Sequence, residues 1–212
     1  HVNELSPSDV SSRDFREDAY AGIKSAIEDT DWNEFDARYV ILITDAGPRE
    51  SHDSLGSTRL SAQALRQLAY DKGVSIWVLH LRAQSSAANH EKTESLYKEL
   101  SYYPGIGHFY YGVRLAEVDE FGLVLELLAN QITQQVLATT NGVPPIPLRE
   151  EIETNLDEAD SQLSQLQTRV AKLGNALRMR YIQKKSGEPL PAVFNAWMVD
   201  KDFENPERSN VD

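Results

Sequence analysis

In RYVILITDAGPRE, residues 38–50, an apolar run stops abruptly on an acid followed by alanine and glycine. A carboxylate in that position has two uses. It supplies an oxygen to a hard cation such as Mg2+, which wants a near-octahedral all-oxygen shell, or it accepts hydrogen bonds from the backbone N–H groups of the turn. One carboxylate seldom holds Mg2+ without further ligands or substrate phosphates. Asp45 is therefore the one candidate metal ligand, of an incomplete site. No cofactor is expected, and Mg2+ only if residues outside this chain complete the shell.

Other chemistry is sparse. His52, His80, His90 and His108 fall on different segments at no ligand spacing, which predicts singly bonded rings and not a zinc site. With no cysteine, thiolate sites and disulfides are excluded. The phosphate-loop, zincin, dinucleotide and nucleophile-elbow motifs are all missing. Asp119-Glu120-Phe121-Gly122 imitates a kinase D-F-G with one residue too many, inside an expected helix. No serine is expected at a strand-to-helix elbow with a paired histidine, so a hydrolase cannot be assembled. The expectation is a chain with no catalytic residues, not an enzyme. Tyr102, Tyr103, Phe109, Tyr110 and Tyr111 offer a recognition surface, or more often a cover for a sheet edge.

The elements that would carry these residues follow from periodicity. Phe15, Ala19, Ile23 and Ile27 recur every four residues, a helical face that Asp14 could cap. YVILIT lacks alternation, as a strand buried on both faces does, which predicts a central strand of a parallel sheet. Leu60, Ala64, Leu65 and Leu68 predict a second helix stopped at Gly73, followed at once by the strand VSIWVLHL. HEKTESLYKELSYY reads as a third helix, HFYYGV as a short strand, and about Glu117 to Ala138 as a fourth helix. Strands separated by helices give an α/β fold with a parallel sheet and flanking helices. Three strands is thin for such a sheet, and YVILIT is apolar for an edge. Upstream strands are expected to be missing, and a chain that starts His1-Val2-Asn3 reads as an excised piece.

A stiff boundary at 141–148, rich in proline, separates this unit (1–140) from a different segment. Ile152, Leu156, Ala159, Leu163, Leu166, Val170, Leu173 and Leu177 alternate spacings of four and three, a heptad seam. It predicts a long helix over 149–186. Leu156, Leu163, Leu166, Val170, Leu173 and Leu177 are the candidate interaction residues: the seam packs on the chain's own body, or pairs with a second copy as a homodimer. A tail, 187–212, carries the apolar patch AVFNAWMV, expected to dock, and then polar residues. The formal charge of -12 repels phosphate backbones and anionic membranes. Nucleic acid is excluded as a partner on that ground. No stretch approaches the roughly 20 apolar residues of a membrane span, so the polypeptide is expected to be soluble and not to insert directly.

The order ILITDAG, loop, amphipathic helix, GVSIWVLHL, helix, short strand, helix resembles the second half of a von Willebrand factor A (vWA) domain, over about residues 11–140. Asp45 and Gly47 match the acid and glycine that end the family's fourth strand, and Gly73-Val74 the entry to its next strand. VSSRDFREDAYAGIKSAIEDTDW, RYVILITDAGPRE and VLHLR further resemble the C-terminal domain of type VI secretion serine/threonine kinases (PpkA-type). The resemblance implies an incomplete vWA/Rossmann-like fold on the periplasmic side of a single-pass inner-membrane protein, where protein partners regulate a kinase. It implies an Mg2+ adhesion site only if a D-x-S-x-S and a Thr loop accompany Asp45. Asp9-Val10-Ser11-Ser12-Arg13 has arginine where the second hydroxyl belongs, and Arg16-Glu17-Asp18 stands where the Thr loop belongs. The site reads as degenerate, and the function as a non-catalytic regulatory interaction module.

Overall fold

Backbone order follows the apolar runs. In a computed structural model that describes residues 14–32, 35, 37–115, 117–141 and 161–174, the chain passes through β1 (Arg16–Glu17), α1 (Ala19–Asp29), β2 (Tyr39–Thr44), β3 (Gly47–Pro48), α2 (Ala62–Asp71) and β4 (Ser75–Arg82). A 3-10 turn (Gln84–Asn89) leads into α3 (His90–Leu100), β5 (Tyr102–Tyr103), β6 (Gly107–His108), β7 (Tyr110–Arg114) and α4 (Val118–Asn141). A further helix covers 161–174.

The main sheet has the order β2-β4-β7 and is parallel throughout, with Tyr39 opposite Ser75 and Val78 opposite Tyr110. Side chains alternate across a strand, so this sheet builds two cores. Val40, Leu42, Ile76, Val78 and Tyr110 meet Tyr20, Ile23 and Ile27 of α1, Leu65 and Ala69 of α2, and Tyr97 and Leu100 of α3. On the other face Trp77, Leu79, Tyr111 and Val113 meet Val124 and Leu128 of α4 and Leu166, Val170 and Leu173. The α/β class with a parallel sheet between helices is as the sequence predicts.

Four local expectations change. Among the described residues β4, not β2, is the central strand: it is flanked on both sides, whereas β2 has a described neighbour on one side only. Asp14 does not cap α1. Asp18 occupies the N-cap position and accepts hydrogen bonds from the Ser57 N–H, at 2.7 Å, and the Ser57 hydroxyl, while Asp14 turns to Arg49. Phe15 consequently falls outside the helix, at φ 51° and half-exposed. α2 forms and stops where expected, but its inward face is Ala62, Leu65 and Ala69, with Leu68 partly buried, whereas Ala64 is exposed and Leu60 precedes the helix. Ser61 caps it by accepting from Ala64 N at 3.2 Å, and Gly73 at φ +66° takes the left-handed turn after its end.

Of the helix expected over 149–186, the described part is 161–174. Leu163 packs at the border of the second core and Leu166, Val170 and Leu173 are inside it. Over these residues the seam is used on the chain's own body, so pairing with a second copy through them would require stripping them from the sheet. Leu156 and Leu177, residues 142–148 of the boundary segment and the tail 187–212 lie outside the described residues. Among the described residues no helix is long and apolar enough to cross a membrane.

Candidate functional site

In a parallel sheet the carboxyl ends of the strands gather the loops, and ligands usually sit there. Here that end holds Asp45 after β2 and the 3-10 turn after β4. Asp45 is exposed, and no described residue hydrogen-bonds its carboxylate. The turn is closed by its neighbour instead: Thr44 Oγ1 accepts from Ala46 N and lies 3.1 Å from the Ala46 carbonyl, which also accepts from the Tyr97 hydroxyl at 2.9 Å. The backbone-bonding role expected of Asp45 thus belongs to Thr44. Among the described residues no group of three or more His, Asp or Glu could hold a metal. The described residues near Asp45 do not make an Mg2+ shell, because the hydroxyls of Thr44 and Ser86 are turned to backbone partners.

The structure does bring a serine and a histidine together, which the sequence reading excluded. Ser86 Oγ lies 3.0 Å from His90 Nε2, in the connection from β4 to α3. The i, i+4 spacing in SAANH was the available signal. Geometry argues against a nucleophile. Ser86 is only 4% exposed, and its hydroxyl is 3.1 Å from the Ala83 carbonyl and 3.4 Å from that of Asp45. A hydroxyl that donates to a carbonyl accepts from the imidazole N–H, so His90 is placed as a donor and not as a base.

Behind this pair, His80 and Tyr110 are fully inside the first core. His80 Nδ1 lies 2.9 Å from the Tyr110 hydroxyl, and its ring meets His90 edge-on at 5.4 Å. Burial first, then the charge of His90 and Arg82, pushes His80 down to about 4, and burial pushes the Tyr110 phenol up. Both stay neutral at pH 7. The phenol donates to Nδ1, leaving the ring proton on Nε2. This is a satisfied polar pair in an apolar core, not an acid–base dyad facing a cavity.

A third cluster fixes the loop after β3. Arg49 is buried and reaches Asp14 at 3.2 Å and Asp53 at 2.9 Å. The Leu55 N–H, and then Arg49 working against partial burial, hold the Asp53 carboxyl below the usual carboxylate range. These charges pair with one another and leave none over for a ligand.

What remains open is the margin of the sheet beside Asp45. Ser75 N donates to the Arg38 carbonyl at 2.9 Å. Alternation along a parallel ladder then turns Val40 and Leu42 toward β4, and directs the N–H and C=O groups of Tyr39, Ile41 and Ile43 away from it. No strand among the described residues pairs there. Ile41 is 39% and Ile43 47% exposed, both on the face that Trp77 and Leu79 bury farther in. The chain matches no family model, no curated protein and no solved structure. YVILIT is too apolar for a margin, whereas the sequence pattern points to the C-terminal seam as the contact surface.

Proposed function

We propose that the chain is a non-catalytic protein-interaction module, the regulatory region of a serine/threonine kinase associated with type VI secretion, and that it engages its partner through the bare margin of β2. The kinase setting is drawn from the resemblance of residues 10–32, 38–50 and 78–82 and from nothing else. The mode of binding rests on one observation: Tyr39–Thr44 is a six-residue strand without charge or proline and, among the described residues, nothing pairs its outer backbone groups or covers Ile41 and Ile43. Sheet margins left to water are ordinarily blunted by lysine, proline, a bulge or shortness. An extended partner segment lying along β2 would pair those N–H and C=O groups and cover Ile41 and Ile43, the β-augmentation mode of recognition. Covering the exposed parts of two isoleucines contributes about 1–3 kcal/mol. The C-terminal seam is a poorer surface, because Leu166, Val170 and Leu173 are already inside the core.

The test is a photo-crosslinking residue at position 43 of the parent protein in its host. One discrete protein adduct is expected, abolished by Ile41→Lys. The isolated chain carrying Ile41→Lys keeps its Tm within about 2 °C, as surface substitutions do. No adduct, an adduct indifferent to Ile41→Lys, or turnover of a substrate by the purified chain would defeat the reading.

A second reading, an Mg2+-dependent adhesion domain completed by residues outside this chain, has one observation in its favour: the unengaged Asp45 carboxylate stands at the carboxyl end of the same margin. Titrating Mg2+ into the longer parent protein is expected to give no heat, and Asp45→Ala to leave its Tm unchanged with or without the ion. Heat of binding that disappears in Asp45→Ala would favour the second reading over the first.

A further inference from the structure

His108 belongs to β6, and the helix over 161–174 lies against it. Arg169 Nη1 donates to the His108 carbonyl at 3.0 Å and is 3.2 Å and 3.4 Å from the two ring nitrogens. Arg169 Nη2 donates to Gln165 Oε1 at 3.3 Å. This close approach depends on Gly107. Its φ of +113° suits glycine, and a Cβ there would stand 3.0 Å from Arg169 Nε. No carboxylate among the described residues pairs with Arg169, so its half-buried cation is met by a carbonyl, an amide oxygen and a neutral imidazole.

The other groups facing His108 do not offset a charge on it. Lys98 and Glu94 act on it from α3, and Tyr110 of β7 meets its ring edge-on at 6.4 Å. Glu94 is divided between Lys98, at 2.6 Å, and Arg82, at 3.9 Å. Protonating His108 would remove the ring lone pair and set a second cation against the guanidinium.

We propose that His108 and Arg169 form a proton-sensitive clasp, which holds the helix over 161–174 on the sheet when the imidazole is neutral and loosens it in acid. Burial first, then Arg169 and Lys98, brings His108 from 6.5 down to about 4. Docking favours the neutral ring, so it is at full strength above the ordinary histidine value and weakens as the pH falls from there toward 4. The whole displacement corresponds to at most about 300-fold in the docking equilibrium. Lys98 and the rest of the fold account for part of it, which leaves the helix a share of about 10- to 100-fold. Leu166, Val170 and Leu173 keep their contacts, so acid frees the helix to open more often without unfolding the sheet. Each opening uncovers the heptad seam.

Hydrogen exchange on the intact chain tests this. The amides of 161–174, corrected for intrinsic rates, are expected to lose about 2- to 10-fold in protection between pH 7 and pH 5, and His108→Gln is expected to keep the same protection at both. Independently, Arg169→Met is expected to move the His108 titration, followed by NMR of its ring protons, upward toward 6.5. An equal loss of protection in wild type and His108→Gln, or an unmoved His108 titration in Arg169→Met, would overturn the clasp.

Discussion

Trp77→Ala is expected to lower the unfolding free energy by about 3–5 kcal/mol, the range for deleting a buried tryptophan, and to shift the denaturant midpoint with little change in slope. Trp77 is 1% exposed at the centre of the second core. Its ring stacks on Phe109 with centroids 5.2 Å apart and an interplanar angle of 5°, and meets Tyr39 edge-on at the same separation. One residue of the central strand thereby ties β2 to the segment leading into β7. Aromatic pairs add about 0.5–1.5 kcal/mol beyond area, so Trp77→Phe should keep part of the loss from appearing. Since whole domains are stable by about 5–15 kcal/mol, the alanine variant would sit near the edge of folding. A loss below about 1 kcal/mol would mean that the second core is not packed as described.

The second large effect concerns the C-terminal helix. Leu166→Ala and Leu173→Ala are each expected to cost about 2–5 kcal/mol. The double variant should cost close to the sum, because seven residues of helix, about 10 Å, separate the two leucines. The loss should be the same at every protein concentration, because the leucines are buried in their own chain. A midpoint that rises with concentration in wild type and not in the variants would assign these leucines to an intermolecular coiled coil.

Legibility in the sequence followed the kind of signal involved. The parallel α/β layout, α2 with its Gly73 stop, and the buried strand VSIWVLHL are legible, because each is set by short-range pattern; the Ser61 cap of α2 is seen only in the structure. YVILIT has the pattern of a doubly covered strand but stands at the margin. Composition reports what a strand is suited to, not which neighbours are beside it. Asp14 has the sequence position of a cap because it precedes an apolar period. Arg49, 35 positions away, competes for its carboxylate, and no local rule sees a partner at that distance. The Ser86–His90 pair fits no nucleophile-elbow motif; in this turn it serves the backbone. The heptad seam was ambiguous for a physical reason, since the same leucine spacing suits a sheet and a second helix equally.

The bare flank of β2 has a colloidal consequence. A six-residue, uncharged, β-branched-rich segment is the kind that stacks in register into cross-β fibrils when left unsatisfied. The net charge of -12 keeps copies apart at long range, but salt screens that repulsion within about 10 Å at 0.1 M. Solutions of the isolated chain are therefore expected to be held from aggregating by charge that lies elsewhere on the molecule, and light scattering is expected to rise as electrolyte is added.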